Sequence, residues 1–318
     1  MRVHVRSSSL DCILLGTGGM MPLPDRLLTA VAVRLDGQIT LFDAGEGAQL
    51  GWKRAQLGLR GFKLLAVTHL HADHCLGIPG LLMLRAQMAD PDPFLIIGPP
   101  GIKGFVQETQ KALGFYLNYP LQFIEWSDTA ESLAYQDERV RLFWEPLKHT
   151  QFCLGYRLEE RERPGRFNPG RAVQLGIPKG PLWGALQTGQ EVVLEGGRTV
   201  KPDQVLGPPR SGRHLAYVVD TRPAKGVYKL CQHVDIAFIE GMFLPEDAEH
   251  AIAKGHLTVV EAAKLAKRAG AKQAVLVHIS PRYGDEDLAR LEGNAQEVFE
   301  KAIMGRDLAL YSVPYGDD

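Results

Sequence analysis

The chain has 318 residues, a composition ordinary for a folded protein and a formal net charge of −1 at pH 7, so its overall field does not mark it as a nucleic-acid binder. Its four cysteines, Cys12, Cys75, Cys153 and Cys231, form no C-x-x-C pair, which argues against a disulfide framework and for a reducing, cytoplasmic setting. Met1–Ser9 has two Arg and a Ser run but no apolar core, and no apolar run is long enough to span a bilayer, so neither export nor a membrane partner is expected.

Leu10–Leu15 reads as a first strand, stopped by Gly16-Thr17-Gly18-Gly19. That turn lacks the spacing and the Lys of a phosphate-cradling P-loop and opens no helix, so it reads as a backbone turn that lets another loop come close. Thr29–Leu35 and Gln38–Phe42 form a hairpin around Asp36-Gly37. Asp43-Ala44-Gly45-Glu46-Gly47 follows at a strand end. Asp43 there has two compatible uses, fixing the tautomer of a ligating histidine or charging a helix N-terminus. For Glu46 the helix terminus is preferred.

The chain is organised around Thr68–Cys75, T-H-L-H-A-D-H-C. His69, His71, Asp73 and His74 place four ligand types in six positions. The apolar, β-prone run Lys63–Val67 precedes them, and Leu76–Met88 follows at helical spacing. On a tight strand-to-helix loop, imidazoles at i and i+2 converge on one ion, while the Asp and the next His turn toward a second. Imidazole and carboxylate together suit zinc, with manganese and iron as competitors. Chance rarely packs ligands this densely, and a single structural zinc would bring a cysteine pair.

Alternating units follow: strand Phe94–Ile97, helix Ile102–Leu113, strand Leu121–Glu125, strand Val140–Trp144 and strand Phe152–Leu158. His149 lies in the loop between the last two. Alone it would be an ordinary loop histidine, but a two-metal site with four ligands needs more. Residues 159–213 are dense in Gly and Pro and weak in apolar periodicity, which reads as an extended insertion outside the core. Across 157–213 there are ten Lys/Arg against six Asp/Glu, a net of +4, so the remainder carries −5. A basic arm on an acidic body is the footprint expected of contact with a polyanion.

His214–Val219 is a strand ending at Asp220-Thr221-Arg222-Pro223, where Asp220 could bridge two ions or cap a helix. Strand Asp235–Glu240, helices Pro245–Ala253 and Thr258–Ala269, strand Gln273–His278, helix Asp285–Met304 and strand Leu308–Tyr311 complete the chain. Thr258 and Glu261 form a capping box, with His256 just before it. Strands thus deliver ligand-type residues at their C-terminal ends at Asp43, His69, Asp220, Glu240 and His278, a recurrent enzyme layout. His4, His214, His233 and His250 read as ordinary residues.

H-x-H-x-D-H after a strand resembles the metallo-β-lactamase superfamily, and other motifs narrow the resemblance to the tRNase Z (RNase Z) family. These are Leu15-Gly16-Thr17-Gly18, Leu41–Gly47, His149, Asp220-Thr221-Arg222-Pro223, and His278-Ile279-Ser280-Pro281-Arg282-Tyr283. In the arm, Leu175–Trp183 resembles the family's Gly-Pro exosite and Val205–Arg210 the stretch leading back to the core. The resemblance covers nearly the whole chain. It implies an α/β fold, the αβ/βα sandwich of two mixed sheets, as one domain over 1–318 with a protruding basic arm at 159–200. It implies two Zn2+ per subunit, or Mn2+ or another divalent metal: one held by His69, His71 and His149, the other by Asp73, His74 and His278, with Asp220 bridging. It further implies a water or hydroxide shared by the metals, oriented or deprotonated by Asp73, and a proton passed to the departing 3′ oxygen by His256, polarised by Glu240.

The implied activity is removal of the 3′ trailer from precursor tRNA, leaving a 3′-hydroxyl on the tRNA, by a homodimer. Substrate contacts are expected from Arg166, Lys179, Gly180 and Pro181 of the arm and from Arg282. The sequence departs from the family's His-Glu-Ala-Thr at Ile239-Glu240-Gly241-Met242. It also departs at Leu257 (usually Ser), Val219 (usually Gly) and Arg26-Leu27 (usually Arg-Asn). Two other functions use the same residues: a phosphodiesterase on small or cyclic nucleotides, which would not need the arm, and an RNA-binding protein with little catalysis.

Overall fold

The computed structural model describes residues 9–127 and 132–316; His4 and most of the N-terminal run lie outside them. The chain divides into two compact units, one of residues 1–159 with 213–318 and one of residues 160–212.

The larger unit holds two seven-stranded sheets. In the first, the order is Leu310–Val313, Leu10–Gly16, Ala30–Leu35, Gln38–Phe42, Phe62–Ala66, Phe94–Gly98 and Leu121–Glu125. In the second it is Ala302–Met304, Ala274–Val277, Ile236–Glu240, His214–Val218, Phe152–Glu160, Val140–Lys148 and Leu133–Gln136. Both are mixed: strands from Gln38–Phe42 to Leu121–Glu125 run parallel, as do those from Ala302–Met304 to His214–Val218, and the hairpin strands are antiparallel.

The strand Leu10–Gly16 shows why the layers form. Alternate side chains of a strand face opposite ways. Leu10, Cys12 and Leu14 enter a seam between the sheets with Phe42, Trp144, Tyr156 and Phe238, while Ile13 and Leu15 enter an outer seam with Trp52, Phe62 and Phe94. Helices Ala48–Arg54, Ile78–Arg85 and Ile102–Leu113 close that outer seam. A third seam lies under helices Lys225–Cys231, Val259–Ala269 and Leu288–Gln296 on the second sheet. With both faces covered, parallel strands read as unbroken apolar runs. The result is the expected αβ/βα sandwich.

Some elements differ from the sequence expectation. The helix expected at Leu76–Met88 is a four-residue turn of helix, Ala72–Cys75, and then Ile78–Arg85, with Pro79 inside its first turn. The helix expected at Asp285–Met304 spans only Leu288–Gln296, because Ala302–Met304 pairs in parallel with Ala274–Leu276 as an edge strand. Its apolar residues had satisfied a helical period equally well. Glu46 does not charge a helix end: the cap of Ala48–Arg54 is Gly47, at φ 87°, and the first turn holds no acid.

The stretch expected to be an extended insertion outside the main core forms, over residues 160–212, a small unit with a core of its own. Ala172, Ile177, Leu186, Val192, Val200 and Val205 are buried together, and Phe167 and Trp183 pack against them. Helices Pro169–Gln174 and Pro181–Gln187 and the strand pair Val192–Val193 with Thr199–Val200 supply them. Asn168 caps the first helix by accepting from Arg171 N at 3.0 Å. Gly180, at φ 152° and ψ −145°, turns the chain into the second through a region only glycine adopts. Arg163 and Arg210 exchange backbone hydrogen bonds, of 2.8 and 2.9 Å, where the unit's two ends meet.

No described helix is long and apolar enough to cross a membrane. The four cysteines are buried and free.

Candidate metal centre

Six strand ends converge at one edge of the larger unit. Phe62–Ala66 leads to His69, His71, Asp73 and His74; Val140–Lys148 to His149; His214–Val218 to Asp220; Ala274–Val277 to His278. Gln38–Phe42 delivers Asp43, and Ile236–Glu240 ends on Glu240. Asp43, Asp220 and His278 adopt left-handed backbone angles, with φ of 55°, 56° and 57°. That conformation costs a non-glycine residue about 1 kcal/mol or more and persists where the surroundings dictate it.

The side chains fall into two groups that share one residue. In the first, His69 Nε2 lies 2.8 Å from His71 Nδ1, and His149 Nε2 lies 3.3 Å from the same atom. Asp220 Oδ2 stands 3.5 Å from His69 Nε2 and 3.4 Å from His149 Nε2. In the second, His74 Nε2 and His278 Nε2 are 3.2 Å apart, with Asp73 Oδ2 3.6 and 3.3 Å away. Asp220 Oδ1 is 3.3 Å from His74 Nε2 and 3.1 Å from His278 Nε2. One carboxylate therefore presents one oxygen to each group.

Three of these imidazoles have their other nitrogen occupied. His74 Nδ1 bonds Asp43 Oδ2 at 2.8 Å, and that carboxylate also accepts from Tyr217 Oη and from Thr68 N and Oγ1. Thr68 Oγ1 lies 3.0 Å from His69 Nδ1, and the Gly255 carbonyl 3.1 Å from His149 Nδ1. Such partners fix each tautomer and aim Nε2 into the cluster. Sequence reading offered Asp43 this use as one of two. It missed Thr68, which lies inside the motif, and Tyr217, whose partner is 174 residues away.

The electrostatics ask for positive charge. Burial alone would raise the Asp220 carboxyl, yet His278, His74 and His69 hold it well below the usual carboxylate range. Burial would also lower His74, but Asp220 and Asp43 keep its proton on well above the usual imidazole range. His69 and His71 are pushed down by burial, which leaves them neutral with lone pairs to donate. Asp220 Oδ1 and His278 Nδ1 are buried without a hydrogen-bond partner among the described residues. Neutral His69 and His71, a His74 proton held only by the carboxylates that a cation would neutralise, and an orphaned Asp220 oxygen between the groups fit divalent cations of borderline softness.

Beside the cluster, His256 Nδ1 bonds Glu240 Oε2 at 2.9 Å, and Thr221 N donates to Glu240 Oε1 at 2.5 Å. Burial works against the His256 proton, but the Glu240 carboxylate outweighs it and raises the pKa to about 9. His256 shares an open cleft of about 450 Å³ with His71, Asp73, His149, Asp220 and His278.

The Gly-rich turn closes one side. A side chain on Gly19 would stand 2.6–2.7 Å from three atoms of the His278 ring. Met20 N donates to Asp73 Oδ2 at 2.6 Å.

The chain is 41% identical to the protein named ribonuclease Z of Treponema denticola over 309 residues, 97% of this chain and 100% of that one. The chain belongs to the ribonuclease Z family. The namesake of Methanosarcina acetivorans is also 41% identical, over 96% of this chain and 99% of its own length. A family model for the beta-lactamase superfamily domain matches residues 204–279. Among solved structures, the short form of human tRNase Z superposes with a TM-score of 0.70 at 24% identity, covering 96% of this chain and 99% of that one; that likeness is one of fold. Family membership makes the chain an enzyme, a metal-dependent hydrolase.

Four of the departures from the family's motifs lie in the core and line no part of the cleft. Val219, Ile239, Met242 and Leu257 are fully buried in apolar seams, and Met242 N bonds the Leu257 carbonyl at 3.1 Å. Arg26 is buried and bonds the Tyr283 carbonyl and Asp285. Arg282 pairs with Asp247 at 2.7 Å. Arg166, Lys179, Gly180 and Pro181 are exposed in the 160–212 unit.

Proposed function

We propose that the chain is an endoribonuclease that removes the 3′ trailer of precursor tRNA, with two divalent ions, zinc by the donor chemistry, at the strand-end cluster. The observation that carries the reading is Asp220 between two imidazole groups with the Glu240–His256 pair beside it, in a chain similar over its full length to proteins named ribonuclease Z. His69, His71 and His149 would hold one ion, Asp73, His74 and His278 the other, and Asp220 both. Such ions supply positive charge for the phosphoryl oxygens and acidify an attacking water.

The remaining steps belong to side chains. Asp73 spends Oδ2 on Met20 N, and its other oxygen orients the water and accepts its proton. Water oxygen bonds to phosphorus as the P–O3′ bond breaks, and the electron pair leaves with the 3′ oxygen. His256, with Nδ1 held by Glu240, delivers a proton from Nε2 to that oxygen. The products are a 3′-hydroxyl on the tRNA and a 5′-phosphate on the trailer.

Residues 160–212 serve as the tRNA-gripping arm, through Arg166, Lys179, Gly180 and Pro181, and Arg282 contacts the substrate near the cleft. The working form is a cytoplasmic homodimer. Exposed Leu50 and Met83, on helices that pack together, suit burial against a second copy, and four free cysteines suit a reducing compartment.

The test is cleavage of a trailer-bearing precursor tRNA with zinc or manganese, against a chelated control. Metal-dependent cutting after the discriminator base is expected. A metal-loaded protein that spares precursor tRNA but hydrolyses a small phosphodiester would refute the substrate while keeping the cluster.

A further inference from the structure

Asp220-Thr221-Arg222 joins the two halves of the site. Asp220 faces both imidazole groups. Thr221 N holds the Glu240 carboxylate, and Thr221 Oγ1 accepts from Lys148 N, one residue before His149, at 3.1 Å. Arg222 N returns to the Lys148 carbonyl at 2.8 Å. Its guanidinium then reaches the other way. Nη1 and Nη2 grip Glu261 Oε2 and Oε1 at 2.9 and 2.5 Å, and Nη1 also donates to the backbone carbonyl of His256.

His256 needs such a tether. It lies in the short link between helices Ala248–Lys254 and Val259–Ala269, after Gly255 at φ 78°. Its own N–H bonds the Ala251 carbonyl at 2.8 Å, which fixes one side of the link. Glu261 fixes the other, because it accepts from Thr258 N at 2.9 Å as the capping partner of the second helix. One carboxylate thus caps the helix and receives the planar fork of Arg222, a geometry that lysine cannot copy.

We propose that Arg222 is the positioning residue of the proton donor: through the Glu261 fork and the His256 carbonyl it sets where the His256 imidazole stands relative to the carboxylate shared by the two metal-ligand groups. This rests on the reading above, in which His256 Nε2 protonates the departing 3′ oxygen. Arg222 touches neither substrate nor the reacting atoms; its effect passes through His256.

The experiment compares two precursor tRNAs with the same trailer, one with the natural scissile 3′ oxygen and one with sulfur at that atom. A thiolate leaves without a proton, so only the oxygen substrate needs the donor. The wild type, Arg222→Lys, Glu261→Gln and His256→Ala are assayed under single turnover, with zinc content measured on each. His256→Ala is expected to slow the oxygen substrate by roughly 10²-fold or more, the span of general acid catalysis, and to leave the sulfur one within a few-fold. Arg222→Lys and Glu261→Gln are expected to follow the same pattern at roughly 10-fold or more, with wild-type zinc content. The Glu261 variant, remote from the shared carboxylate, carries the test if the Arg222 variant folds poorly.

If His256→Ala shows the oxygen-only loss while both other variants slow the two substrates equally, or neither, the positioning role is overturned and the donor stands. Zinc loss in both variants would also overturn it, since the fork would then be acting on Asp220. Equal slowing of both substrates by His256→Ala would overturn the donor itself and the proposal with it.

Discussion

The strand-end rim of the larger unit and the 160–212 unit are built by opposite rules. On the rim, polar side chains are buried and held: Asp43 accepts from four donors, and Asp220 sits fully enclosed among imidazoles. In the smaller unit six apolar residues, four of them Val or Ala and none aromatic, are the whole buried core, and the basic side chains Arg166, Arg171 and Lys179 are exposed. A rim so constrained can aim donors to within fractions of an ångström, which chemistry requires. On the proposed reading, the exposed basic side chains of the smaller unit meet the phosphates of the tRNA. The difference teaches that changes to the rim should appear in turnover and metal content, and changes to the smaller unit in substrate affinity.

The hardest way to break that contrast is Asp220→Ala. Removing the one carboxylate that faces both groups is expected to lower turnover of precursor tRNA by roughly 10³-fold or more, equivalent to several kcal/mol. Bound zinc, measured by plasma emission, should fall with it; near-normal activity would show that the two groups do not act together. Asp43→Asn should be milder, weakening metal affinity about 10–100-fold through a misoriented His74. A competition titration with a chromogenic chelator reads this, and an unchanged affinity would mean that Tyr217 and Thr68 suffice without the carboxylate.

Replacing residues 164–209 by a short linker between Arg163 and Arg210, whose backbones already pair, should act on the other side. KM for precursor tRNA is expected to rise roughly 10-fold or more with a shallower salt dependence, while a small phosphodiester is hydrolysed as before. Equal loss on both substrates would erase the contrast. Leu186→Ala should raise KM no further than the linker does. Truncating a buried leucine costs about 2–5 kcal/mol, more than a core of this size can spare. The smaller unit should become protease-sensitive in limited digestion, with the melting transition of the larger unit in place.

What the sequence disclosed follows the same division. The αβ/βα sandwich was legible through the H-x-H-x-D-H motif and the resemblance it carries, and the rim because strands ended on ligand-type residues at Asp43, His69, Asp220, Glu240 and His278. The pairings that hold the rim were not legible. Arg222 meets Glu261 across 39 residues and Tyr217 meets Asp43 across 174, and no local pattern in the sequence couples the two ends of either pair. The left-handed angles of Asp43, Asp220 and His278 were equally hidden, since glycine is the usual sign of that conformation and none stands there. The core of the smaller unit escaped because helices of six and seven residues are too short for a period to show, and Gly and Pro punctuate every run.

The bare Cα of Gly19 against the His278 ring has a consequence for how this chain can vary. Even a methyl group there must shift the buried imidazole, so alanine at 19 would act as a change at 278. A deep mutational scan should rank Gly19 with the histidines, although it has no side chain to offer. A protein engineer seeking to widen the cleft has therefore one wall, the glycine turn, that is closed to redesign, and must work instead from the side of Thr150 and Lys254.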